Sequence, residues 1–271
     1  MSHEVDGLEP FQSGEGCWTR SGSGSDDSGS VSALGGHGVY EIKFLVTETQ
    51  SCAVQEWARI HLQHDPHASA ENGYGYSVNS LYLDTPGFDV FHRAETFRQR
   101  KFRLRRYGCE EVIWMELKSK SAGRVNKRRT PIAAAHLQGK LISGEDSNWD
   151  GNWFRAHVDG LDLRPVCQVT YQRFACVGTS IFGPIRLTMD SQLRCQPANG
   201  WTVPSEPLAS GALLQDRQIL ELKFCDTIPN LFRDLIRDLH LNIATFSKYR
   251  QSVEASIAFN RLLAGLNSAG G

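Results

Sequence analysis

The chain has 271 residues, 40% of them hydrophobic, and its 29 Lys and Arg against 30 Asp and Glu leave a formal net charge of −1. That length and apolar content are enough for a sizeable core. The near-neutral charge excludes a generally basic nucleic-acid binder, although it can conceal a strong local field. No run approaches ~18 apolar residues, so no membrane-spanning helix is expected, and the N-terminus lacks the basic-then-apolar pattern of a signal peptide.

Residues 1–36 hold a Gly/Ser/Asp tract, SGSGSDDSGS at 21–30, that cannot bury much apolar surface and is expected to be a disordered leader. The rest, 37–265, reads as one folded domain. VYEIKFLV at 39–46 alternates as a strand, and Thr47 with Gln50 forms a capping box that opens a helix to about Leu62. A strand at 76–86 and a short helix at 88–95 precede a hairpin of 100–108 and 111–121, with Gly108 in the turn region, and 123–132 adds another strand. Residues 133–142 and 150–160 read as helical or irregular. Strands at 165–178 and 184–195 surround a Gly-containing turn, and another at 217–224 follows a loop with Pro. Pro229 then opens an amphipathic helix on Leu231, Leu235, Ile236 and Leu239, and a final helix covers 250–264. Many strands with a few short helices predict an α+β fold on a mostly antiparallel sheet. Seven cysteines are scattered without a zinc-like spacing. Cys109, Cys167, Cys176 and Cys225 fall in or beside strands, as small buried thiols do, and this fits a reducing cytoplasm.

The strands share a charged face. Tyr-Glu-Ile-Lys at 40–43, Met-Glu-Leu-Lys at 115–118 and Leu-Glu-Leu-Lys at 220–223 repeat one pattern, and residues i and i+2 of a strand point the same way. Glu41 and Lys43 therefore share a face, as do Lys101, Arg103 and Arg105, then Glu116, Lys118 and Lys120. Tyr171 joins Arg173, Arg186 joins Thr188 and Asp190, and Glu221 joins Lys223. An open sheet with one wet face is the simpler alternative. Against it, cations recur at i and i+2 on nearly every long strand, and the opposite faces are apolar enough to need covering by helices. A closed antiparallel β-barrel tunnel with a polar lumen and helices packed outside is the predicted architecture. In that lumen seven cations (Lys43, Arg103, Arg105, Lys118, Arg173, Arg186, Lys223) would face four anions (Glu41, Glu116, Asp190, Glu221), before Lys127, Arg128, Arg129 and Lys248 are considered. Uncompensated buried charge is costly, so a polyanion is the natural occupant, and guanidinium forks suit phosphate oxygens. The carboxylates either hold a divalent Mg²⁺ or Mn²⁺ against the phosphates or orient neighbouring cations.

In chain order, Tyr-Glu-Ile-Lys, the Arg103/Arg105 pair, Met-Glu-Leu-Lys, the basic run 127–129, the Tyr171/Arg173 pair, Arg186 to Asp190, Leu-Glu-Leu-Lys-Phe and Ser-Lys-Tyr at 247–249 resemble the VTC domain. This is the polyphosphate polymerase domain of the vacuolar transporter chaperone proteins, within the triphosphate tunnel metalloenzymes and related to CYTH phosphatases and adenylyl cyclases. The resemblance covers about 39–260. It implies that ATP donates its γ-phosphate to a growing polyphosphate chain, with Mn²⁺ or Mg²⁺. Matched motif by motif, Lys43, Arg103, Arg105, Arg173 and Arg186 would hold phosphates, with Lys223 and Lys248 completing the catalytic cations. Glu221 would be the main metal ligand, with Glu41 and Glu116 as further candidates. Lys118, Lys127 and Arg128 would guide the chain, and Tyr171 would approach the nucleotide base. Val39 lacks the extra carboxylate of the CYTH Glu-x-Glu-x-Lys motif, which weakens a hydrolase more than a polymerase. The competing functions are a metal-dependent triphosphatase or polyphosphatase, with Glu41 or Glu116 placing water, and a polyphosphate-binding module without turnover. The expected partners are ATP and polyphosphate or triphosphate, with no nucleic acid, and coupling to membrane translocation would need a partner protein.

Overall fold

The structure, a computed structural model, describes residues 39–68, 75–121, 124–144, 148–209 and 211–256. The expected leader and the end of the final helix lie outside the described residues, as does the side chain of Lys120. The chain runs β1 (Val39–Val46), α1 (Glu48–His61), β2 (Gln63–His64), β3 (Gly75–Asp84), α2 (Asp89–His92), β4 (Arg100–Tyr107), β5 (Val112–Ser121) and β6 (Arg124–Ala133). It continues through α3 (Asn152–Gly160), β7 (Arg164–Ser180), β8 (Gly183–Pro197), β9 (Gln218–Cys225) and α4 (Asn230–Asp238) to a helix at 248–256, here α5. The capping box that starts α1 is formed in both directions: Gln50 N donates to Thr47 Oγ1 at 3.2 Å and Thr47 N donates to Gln50 Oε1 at 3.1 Å. Pro229 caps α4. Gly108, at φ +54°, makes the tight β4–β5 turn that a side chain would resist.

One antiparallel sheet holds every strand, in the order β1-β9-β8-β7-β3-β4-β5-β6, with β2 added beside β7. Among the described residues the edge strands β1 and β6 share no ladder. They nonetheless lie in contact, and Lys118 Nζ of β5 reaches Glu41 Oε2 of β1 at 3.1 Å. The sheet therefore curls into a tunnel whose seam is closed by side chains, where a fully closed barrel would be closed by backbone hydrogen bonds. Charged edges of this kind also resist pairing with another chain.

The apolar strand faces point outward and are covered by helices, as the alternation predicts. Phe44, Leu187, Leu220 and Leu222 pack with Val54 and Ala58 of α1 and with Phe232 and Leu235 of α4. Phe102, Leu104, Ile113 and Met115 pack with Phe154 and Val158 of α3. Each such side chain contributes about 1.5–3 kcal/mol on burial, so the barrel owes its stability to its outside. Between β7 and β8 the register shifts so that Gln192 and Leu193 oppose Tyr171 alone, a bulge eased by Gln192 at φ +51°. Cys167, Cys176 and Cys225 are buried as expected, but Cys109 is exposed because it sits at the β4–β5 turn. No helix among the described residues is long and apolar enough to cross a membrane.

Candidate active site

Antiparallel register builds the lumen two residues at a time. β1 and β9 place Glu41 opposite Lys223 and Lys43 opposite Glu221. Lys43 Nζ donates to Glu221 Oε1 and lies 2.7 Å from Glu41 Oε1. Lys223 Nζ sits farther off, 3.7 Å from Glu41 and 3.8 Å from Glu221. Lys248, at the start of α5, joins the cluster from the side, 2.6 Å from Asp190 Oδ2 and 3.7 Å from Glu221 Oε1. Asp190 also accepts a two-pronged contact from Arg173, Nε at 2.7 Å and Nη2 at 2.8 Å. Across the tunnel Arg103 Nε donates to Glu116 Oε2 at 2.6 Å, and Lys127 Nζ pairs with Glu116 Oε1. Arg186 Nη2 contacts Asp65 Oδ2 at 2.5 Å and Tyr76 Oη at 3.1 Å.

The residues singled out in the sequence thus converge, with one exception. Arg128 is exposed and stacks its guanidinium on the Trp153 ring of α3, 4.3 Å from the centroid. It alternates with Lys127 and faces outward. Residues that were given no role from the sequence also enter the site. Lys101, placed on the charged face by parity alone, donates to Ser247 Oγ at 3.1 Å. Asp65 lies in the loop after β2 and carries no local signal; only the fold brings it to Arg186.

The electrostatics are uneven. Burial opposes charge on Glu41, Glu116, Asp190 and Glu221, but the surrounding ammonium and guanidinium groups prevail and hold each below the usual carboxylate range. Burial would likewise lower Lys43, yet Glu221 and Glu41 in contact hold it above the ordinary lysine value. Lys223 faces the same two carboxylates from a longer distance, so burial wins, helped by Lys118 and Arg186, and it falls to about 7. Lys101 also falls to about 7, through burial and then repulsion from Lys118, Lys43 and Arg103.

Arg105 stands apart. It is 4% exposed, donates to Ser80 Oγ at 3.1 Å and pairs with no carboxylate among the described residues. Its guanidinium lies 6.0 Å from the Tyr171 ring, which also receives Arg173 at 5.3 Å and Lys248 at 4.7 Å. Tyr171 is buried among three cations, and its π face offsets part of their charge.

No group of three or more His, Cys, Asp or Glu among the described residues could hold a metal by itself. Glu41 and Glu221 share the Lys43 and Lys223 ammoniums. Two hard carboxylates facing one space are a donor set suited to Mg²⁺ or Mn²⁺ when phosphate oxygens complete the shell. Glu116 is 0% exposed and has both oxygens engaged by Arg103 and Lys127, which suits it to orienting cations.

An antiparallel tunnel lined by basic side chains and bridged by carboxylates is the class of protein this fold and site define. The sequence matches the VTC domain over residues 39–257, and the chain belongs to that family. Among solved structures, it is similar to a candidate adenylate cyclase from Bacillus halodurans, at 13% identity over 78% of this chain and 95% of that one, TM-score 0.47. It is also similar to a candidate adenylyl cyclase from Hippeastrum described with a dominant triphosphatase activity, at 14% identity over 81% of this chain and 96% of that one, TM-score 0.47. A protein from Pyrococcus horikoshii resembles it at 11% identity over 80% of this chain and 98% of that one, TM-score 0.44. These likenesses are distant, and family membership rests on the sequence match. No curated protein sequence matches the chain.

Proposed function

We propose that the protein is an ATP-polyphosphate phosphotransferase, which moves the γ-phosphate of ATP onto a growing polyphosphate chain inside the tunnel. The observation that carries this reading is Arg105, a buried guanidinium with no carboxylate partner among the described residues. A desolvated charge of that kind is stabilised when a polyanion enters beside it. Membership of the VTC domain family supports polyphosphate as the polyanion. Arg103, Arg105, Arg173 and Arg186 grip phosphate oxygens, Lys43, Lys223 and Lys248 neutralise charge building on the transferring group, and Lys118 and Lys127 guide the chain. Phosphoryl transfer of this sort asks the protein for alignment and charge stabilisation, and the acceptor's terminal phosphate is the nucleophile. Held by Glu221 and Glu41, Mn²⁺ or Mg²⁺ would supply further neutralisation of the phosphoryl oxygens.

Hydrolysis in the same tunnel would need a carboxylate free to place water. Glu116 is engaged on both oxygens, and Glu41 pairs with Lys43, Lys118 and Lys223, which favours transfer to phosphate. On this reading the enzyme works in a reducing cytoplasm and leaves any membrane translocation of product to a partner protein. The test is incubation of the full chain with ATP and Mn²⁺, followed by gel analysis of polyphosphate and assay of ADP and phosphate. Long polymer with matching ADP is the expected result. Phosphate release without polymer would make the protein a hydrolase, and nucleotide binding without either product would make it a binding module.

A further inference from the structure

We infer that Asp84 and Tyr249 form a latch that positions Lys248 in the lumen. The inference rests on the reading of the tunnel as a polyphosphate site. Asp84 ends β3, is 0% exposed and is held from all sides. Its Oδ1 accepts from Thr85 N at 2.7 Å and Val90 N at 2.8 Å, and its Oδ2 accepts from Phe91 N at 2.9 Å and from the Tyr249 hydroxyl. Two backbone amides of α2, from Val90 and Phe91, and that of Thr85 just after β3 thus make the carboxylate a rigid post, and Tyr249 is tied to it. Burial and the Asp84 hydrogen bond push the Tyr249 hydroxyl above its ordinary value, so it remains a donor.

The neighbouring residues strengthen the grip. Arg250 Nη1 donates to Phe91 O, and the guanidinium lies 4.7 Å from the Phe91 ring. Ser252 Oγ donates to Lys248 O at 2.7 Å. Of the two residues that follow Lys248, Tyr249 is therefore fastened to the end of β3 and Arg250 to α2, while Lys248 itself points the other way, to Asp190 and Glu221. A lysine on four rotatable carbons is a poor positioning device by itself. Its reach is set here by where the first turn of α5 is held, and small displacements of such a group are costly. Asp84, Tyr249 and Arg250 are positioning residues on this account; none of them touches the phosphate path.

A double-mutant cycle on the full chain, read by calorimetric binding of inorganic tripolyphosphate, separates positioning from simple support of the fold. Tyr249→Phe keeps the ring that packs 5.4 Å from Tyr82 and removes only the hydroxyl. It should weaken tripolyphosphate binding by roughly three- to tenfold, the range of one hydrogen bond. In a Lys248→Met background the same change should cost less than about twofold, because the group it positions is gone. Arg250→Met, which releases Phe91 O, should follow the same pattern and serves if Tyr249→Phe folds poorly. Equal losses in both backgrounds, or no loss in either, would overturn the latch while leaving the tunnel reading in place. Failure of the unaltered protein to bind tripolyphosphate would overturn the tunnel reading itself, and the latch with it.

Discussion

Arg105 and Arg103 sit two residues apart on one face of β4, yet their removal should have different consequences. Arg103 is the partner of fully buried Glu116, so Arg103→Ala leaves that carboxylate with Lys127 alone and should destabilise the protein by about 1–3 kcal/mol. Arg105 has no such partner among the described residues. Arg105→Met should leave the melting temperature unchanged or slightly raised while lowering turnover by about 10²–10³, the usual cost of one transition-state donor. A marked fall in stability, measured by thermal denaturation, would show that Arg105 is structural. Glu221 invites a second comparison. Glu221→Gln removes the anion facing Lys43, Lys223 and Lys248, and breaking so buried a network should cost about 3–5 kcal/mol. If Glu221 also holds the metal, the variant should lose any Mn²⁺-dependent rise in melting temperature as well as turnover. Glu116→Gln should be destabilised but keep the Mn²⁺ response. Loss of that response in both, or in neither, would put the metal elsewhere.

At the scale of elements, the period-two alternation of the strands was legible in the sequence, because which face a strand residue takes is a local property. So was α1, through Thr47 and Gln50. Arg128 shows where the same rule is easily missed: in a basic run every residue looks like lining, yet parity separates Arg128 from Lys127. The loop that lies against β8 was not legible at all. Cys195 N donates to Gly211 O at 2.8 Å, Gly211 has φ +79°, and a Cβ there would fall 1.8 Å from Cys195 O. Gly211→Ala should therefore destabilise the fold by about 2–4 kcal/mol through strain and overlap, against about 1 kcal/mol for Thr47→Ala. Urea denaturation of the two variants checks the order; equal costs would mean that the 211–213 segment yields freely.

For the molecule as a whole, the lumen is a charge store that a polyanion discharges. Lys101 and Lys223 are held near 7, below the ordinary lysine value of about 10.4. Between about pH 7 and 10 the unfolded chain then binds more protons than the folded one, so stability should rise with pH across that window and be flat just below it. Lys101→Met should flatten that rise in part. Phosphate restores the missing counter-charge, so binding of tripolyphosphate at pH 8 should take up about one to two protons. Calorimetry in two buffers of different ionisation enthalpy measures this uptake; a value of zero would mean that both lysines are already charged in the lumen.

The sequence by itself determined the alternation of faces, the helix starts and the ordered Glu-Lys and Arg motifs that resemble the VTC domain, since each depends on residues within a few positions of one another. Tertiary structure alone decided how the charges pair. Lys43 finds Glu221 across 178 residues of chain, Arg186 finds Asp65 across 121, and Tyr249 ties α5 to Asp84 across 165. It also decided that Arg105 is left without a carboxylate among the described residues. Charge balance in a lumen is a sum over strands brought together by the curl of the sheet, and no stretch of sequence contains that sum.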